Sequence, residues 1–167
     1  MDQQLLEQLD EYLALNFIQM DSSAYYEYLN TEEVMRRLRI QARLRLKRTM
    51  AITEFGTDQG TFGFLVRSYN KKRIPLDTIW IKSKAPNAIV EKLKTDAGFK
   101  PPIPVLMRVL LALQLSEMDA NNLLSEAEMS FRPYEYLDLI IAFALRHRIY
   151  ELDDVNQLLN HKGVNSL

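Results

Sequence analysis

The chain has no cysteine and only two histidines in 167 residues. Without thiols there is no disulfide, no thiolate zinc site and no cysteine nucleophile, and His147 and His161 are too few for a histidine metal centre. Neither a metal nor a cofactor is expected. No run of about eighteen uncharged apolar residues is present to span a bilayer, and the N-terminus lacks a basic segment followed by an apolar one. The expectation is a soluble, cytoplasmic protein that does not engage a membrane. Glycine is scarce too, five in all, and the only loop-rich segment is Gly56-Thr57-Asp58-Gln59-Gly60. No Gly-Lys-Ser/Thr follows it, so it reads as a connector and not as a phosphate-cradling loop.

What is present is charge, unevenly placed. The net charge is −1, yet residues 1–33 carry eight acidic groups and no basic one, 34–108 carry 17 basic and five acidic, and 109–167 carry four and nine. The three blocks stand at −8, +12 and −5. A phosphate backbone selects such a basic centre, because each neutralised phosphate releases counterions. The alternative is internal: acidic ends that fold over a basic middle and neutralise it.

Apolar spacing is helical throughout, at intervals of three and four residues. Leu5, Leu6, Leu9, Tyr12 and Leu13 predict an amphipathic helix over residues 3–18, whose acidic polar face suits packing on the core or on a second copy and not a membrane surface. Asp21-Ser22-Ser23 then predicts a turn carrying Tyr25, Tyr26 and Tyr28, with a second helix starting near Thr31. The basic run 34–48 is ambiguous. Leu38, Ile40, Ala42, Leu44 and Leu46 alternate as in a strand, whereas Met35, Leu38, Ala42 and Leu46 make a helical stripe of good helix formers. Helix is the reading adopted, since no partner strand lies nearby. Its arginines either track phosphates or pair with the acidic first helix.

The organising stretch is 74–115. Leu76, Ile79, Trp80 and Ser83 share one helical stripe over 75–83; Pro86 opens a second short helix, 86–94, with Ile89, Val90 and Leu93 on its apolar face. Only Lys84 and Ala85 connect the two, a sharp helix-turn-helix corner. Pro102 and Pro104 open a third helix whose broad face carries Val105, Leu106, Val109, Leu110 and Leu113. A helix over Phe62, Phe64, Leu65, Val66 and Tyr69 precedes this stretch. Three follow it: one from Ser116 or Asp119 through Met129, stopped by Arg132-Pro133; a nearly all-apolar one over Tyr136–Leu145; and a short one over Leu152–Leu159.

These residues resemble the lambda-repressor or Cro-type (XRE-like) helix-turn-helix family. The resemblance rests on Ile79 and Trp80, on Val90 and Leu93, and on Lys100-Pro101 followed by Leu106, Val109, Leu110, Ala112-Leu113 and Ser116, and it covers residues 61–131. Two departures stand out: Trp80 replaces a usual small alanine, and Lys84 stands where the turn usually has a glycine able to adopt positive φ. The resemblance implies an all-α protein with a repressor-like helix-turn-helix core (57–131), an N-terminal helical extension (1–56) and additional packed C-terminal helices (132–167). It further implies a DNA-binding transcriptional regulator whose second motif helix enters the major groove, placing Asn87, Ala88 and Glu91 at base edges. Lys82, Lys84, Lys92, Lys94, Lys100 and Arg108 become phosphate contacts, with Arg36, Arg37, Arg39 and Arg43 adding to them. Repressor-like proteins read palindromic half-sites, so a homodimer on double-stranded DNA is expected. The alternative is a protein-interaction adaptor on a degenerate helix-turn-helix fold, meeting its partner through the terminal helices. An enzyme is not expected: Glu135, Asp138 and His147 lie on neighbouring turns but show no nucleophile-base-orienter spacing.

Overall fold

The computed structural model describes the backbone of residues 1–52 and 61–167, with side chains through 46 and from 61 onward; the connector at 56–60 lies outside the described residues. Among these there are nine helices and no strand: α1 (Gln3–Asn16), α2 (Ser23–Ile52), α3 (Thr61–Tyr69), α4 (Leu76–Lys82), α5 (Asn87–Thr95), α6 (Ile103–Ala112), α7 (Glu117–Glu126), α8 (Tyr136–Arg146) and α9 (Leu152–His161). The protein is all-α, and the alternating apolar residues 38–46 lie on a helix.

Two element boundaries differ from the sequence expectation. The second helix starts at Ser23 rather than near Thr31, so the three tyrosines occupy its first turns. The Ser22 hydroxyl caps this start by accepting from Tyr25 N at 3.2 Å, whereas the Thr31 hydroxyl donates back to the Glu27 carbonyl, 3.0 Å away, as a mid-helix threonine does. Tyr25 and Tyr28 then pack edge-on against Tyr134. Helix α7 stops at Glu126, well before Arg132-Pro133.

The early stop follows a closure used four times. After α6, α7, α8 and α9 the chain turns left-handed at Gln114, Glu128, Arg148 and Gly163. The next residue, Leu115, Met129, Ile149 or Val164, donates its N–H five residues back, to the carbonyls of Leu110, Leu124, Ala144 and Leu159. This is the Schellman pattern, in which the apolar residue after the turn folds onto the helix it has just ended. Three of the four left-handed positions are not glycine.

Burial is continuous through one core. Helix α8 is buried from Asp138 to Leu145, and α6 from Val105 to Ala112 save Arg108. Helix α1 lays Leu9 and Leu13 onto α8 and α9, while α2 packs on α7, α3 on α5 and α7, and α4 on α6. Leu137, at the start of the nearly all-apolar α8, is only partly buried. Among the described residues, Asp10 of α1 takes Lys162 and His161, each at 3.0 Å, while Arg39 of α2 finds Glu32 and Arg43 finds Glu128.

Candidate nucleic-acid interface

The corner between α4 and α5 is built by Ser83. Its side chain is wholly buried; the hydroxyl donates to the Trp80 carbonyl at 2.7 Å and accepts from Ala85 N at 3.4 Å. Lys84 follows in the left-handed region at φ 51°, with its N–H on the Ile81 carbonyl at 3.0 Å. The backbone thus takes, with a lysine, the conformation that glycine adopts most cheaply. From α6, Arg108 donates Nε to the Ser83 carbonyl at 2.5 Å. That contact anchors the helix end, and burial draws the guanidinium pKa below its usual value.

Pro86 then leads into α5, its carbonyl accepting from Ile89 N and Val90 N at 2.9 and 3.0 Å. Val90 and Leu93 point inward, and Asn87, Ala88, Glu91 and Lys92 are exposed. The inward face sits unusually close to α3. A Cβ added to Gly63 would stand 2.9 Å from the Leu93 carbonyl oxygen and 3.2 Å from Lys94 Cα, so this glycine sets the distance between the two helices. Nothing in the sequence spacing singled out Gly63, because the close approach is to backbone that lies about thirty residues away.

The predicted base-reading residues therefore share one exposed helix surface. Asn87 and Glu91 are one turn apart, with Ala88 beside Asn87. Glu91 also lies 3.5 Å from Lys94 in an exposed ion pair, an interaction of small energetic weight.

The predicted phosphate residues fall into groups. Lys82, Lys84 and Arg108 line a groove of about 290 Å³ together with Ile81 and Tyr150, with Glu151 from the α8–α9 connection and with Asp153 from the first turn of α9. Lys82 approaches Glu151 to 3.7 Å. At the other end of α5, Lys92 stands 5.5 Å over the Phe99 ring. Next to Phe99, Lys100 joins Arg36 and Arg39 of α2 around a second groove of about 310 Å³ that also holds Glu128. Arg39 is paired with Glu32, and Arg43 with Glu128 at 2.6 Å; Arg36 and Arg37 are exposed.

The carboxylates weighed for catalysis are separated from the histidine. Asp138, 1% exposed, accepts from Arg132 N, Nε and Nη2 at 2.8, 2.9 and 2.8 Å. His147 instead stacks on Phe143, centroid to centroid 4.2 Å. Hydrogen bonding to Asp138 raises the Arg132 pKa, the mark of a structural pair that ties the α7–α8 connection to α8. Among the described residues no three His, Asp or Glu side chains gather as a metal site, and no helix is long and apolar enough to cross a membrane. Comparison with known protein families, with curated proteins and with solved structures finds no match to the chain.

Proposed function

We propose that the chain is a DNA-binding regulator, acting by binding and not by catalysis, in which α3 to α7 form a repressor-like helix-turn-helix unit that works as a homodimer on duplex DNA. The observation that carries this reading is the exposed surface of α5. Asn87, Ala88 and Glu91 face outward, while Val90, Leu93 and the Gly63 approach hold the helix rigidly from behind. Asn is suited to adenine, Glu to a cytosine amino group and Ala to a thymine methyl. Lys82 and Lys84 at one end, and Lys92 and Lys100 at the other, supply charge for the flanking phosphates.

The test is binding to a random duplex across a salt series, followed by selection of a preferred site from that pool. A steep loss of affinity with salt is expected. Asn87→Ala then weakens the preferred site by about 1–3 kcal/mol and leaves random duplex almost unchanged. Lys92→Ala and Lys94→Ala weaken both, and Glu91→Gln lowers specificity. Affinity that is shallow in salt and indifferent to all four changes would overturn the reading.

A second reading, the non-enzymatic adaptor, is favoured by Ile81. This isoleucine is 76% exposed at the groove beside Tyr150, where a protein partner gains from covering it. In that case Ile81→Ser abolishes partner capture, and the α5 substitutions leave capture intact.

A further inference from the structure

Helix α2 is 30 residues long, and among the described residues only part of its circumference is covered by the other helices. Leu46 is buried, and Arg43 reaches Glu128. Away from that side, Tyr26, Leu29 and Leu44 stand 58%, 43% and 52% exposed, and Ile40, 43% exposed, borders the groove that holds Lys100 and Glu128. Together with the exposed Glu33 and Arg37 they form one stripe, at spacings of three, four, four, three and four residues. At about 100° per residue all six fall within roughly 80° of arc and run for about 27 Å along the helix. Residues 26, 29 and 33 recur as 37, 40 and 44, an eleven-residue repeat that keeps a stripe nearly straight on an α-helix.

The order of side chains along the stripe indicates what covers it. It is apolar at both ends, with one acid and one base side by side near the middle, at equal distances from residue 35. Laid against a parallel copy, Glu33 meets Glu33 and Arg37 meets Arg37. Laid against an antiparallel copy about a two-fold axis level with residue 35, Glu33 meets Arg37 twice, Tyr26 meets Leu44, and Leu29 lies beside Ile40. Only the second arrangement satisfies charge and apolar area together, and it is the self-complementarity that a two-fold interface requires. Val34 and Leu38 lie farther round the helix, beyond Arg37, and are not part of it.

We propose that this face of α2 is a homodimer interface, in which the helices of two copies pair antiparallel across Glu33 and Arg37. This rests on the two-copy part of the functional reading and not on DNA binding. Self-association is measured without DNA, so either can fail alone.

The test uses the full chain. Sedimentation equilibrium at micromolar concentration is expected to give a dimer. Glu33→Arg alone and Arg37→Glu alone each place four like charges at the axis and weaken it at least roughly tenfold, while Glu33→Arg with Arg37→Glu together restores it. All these positions are exposed, so circular dichroism keeps the parent's helix content, and melting temperatures agree when parent and variants are compared at concentrations where both are monomeric. Because the chain has no cysteine, Glu33→Cys and Arg37→Cys variants report geometry directly: under oxidation an equimolar mixture cross-links, and each variant alone does so poorly. A monomer at high micromolar concentration, failure of the charge swap to restore dimer, or efficient cross-linking within each single variant overturns the proposal.

Discussion

The Cβ that Gly63 lacks would stand 2.9 Å from the carbonyl oxygen of Leu93, and this one clearance fixes how closely α5 lies on α3. In an exposed helix, replacing glycine by alanine stabilises by roughly 0.4–1 kcal/mol. Here the obstacle is backbone, which cannot swing aside, and overpacking costs about 1–3 kcal/mol. The second effect is the larger, so Gly63→Ala destabilises the protein. Urea denaturation checks the sign; a stabilised variant means that α5 rides free of α3.

Arg108 holds the end of α4 through the Ser83 carbonyl. Arg108→Met keeps the apolar stem and leaves that carbonyl without its donor, costing about 1–3 kcal/mol. Lysine does not restore it, since the bond uses the fixed Nε of the guanidinium plane. If Arg108→Met and Arg108→Lys both melt with the parent protein, the contact contributes nothing.

Trp80 is buried, 8% exposed, and its Nε1 has no hydrogen-bond partner among protein atoms. Trp80→Ala removes a ring from the core and costs about 3–5 kcal/mol. Trp80→Phe keeps most of the packing and removes an orphan donor worth about 1–3 kcal/mol of desolvation, so the net cost stays under about 2 kcal/mol. Chemical denaturation of the pair distinguishes them. Equal losses would show that the indole nitrogen is satisfied.

Arg148 holds φ at 57° after α8. An L-residue spends roughly 1–2 kcal/mol in that region, and glycine gives back about 0.5–1 kcal/mol in unfolded-chain entropy. Arg148→Gly is therefore stabilising by up to about 1 kcal/mol, read as a rise in melting temperature of a few degrees. A lowered melting temperature would place the arginine side chain in a contact worth more than the strain.

Asp10 fastens α1 to α9. Hydrogen bonds from Lys162 and then His161 hold its carboxyl below the ordinary 3.8. A carboxylate whose pKa is lowered by folding adds stability that is fully present above the unfolded value and fades as pH falls through the folded one. Asp10→Asn is accordingly less stable than the parent near neutral pH, and the two converge as pH falls through the lowered folded-state value. A gap that stays constant with pH would assign the effect to packing instead of charge.

Much of the helical pattern was legible because it is local. Proline at 75, 86 and 102 precedes α4, α5 and α6, and Ser116 caps α7 by accepting from Asp119 N at 3.1 Å; both signals act within one turn of where they sit. Ser22, within the Asp21-Ser22-Ser23 segment that predicts a turn, instead caps the start of α2. Its acceptor outcompeted Thr31, because three tyrosines with neighbours to pack on are better housed in a helix than in a turn. The exposed side chains at 87, 88 and 91 were likewise readable, since they are what remains when Val90 and Leu93 are assigned to the core.

The sequence by itself determined helix, breaker and apolar face, because each depends on residues three or four apart. Tertiary structure decided the rest, where the partner is distant in the chain. Gly63 is required only because Leu93 arrives beside it, and Arg108 serves a carbonyl 25 residues earlier. Asp10 of α1 goes to His161 and Lys162 at the end of α9, 151 and 152 residues away. Charge is long-ranged and unspecific in a sequence. Which pair forms is settled by packing, which here brings Asp10 to α9 and Arg43 to Glu128.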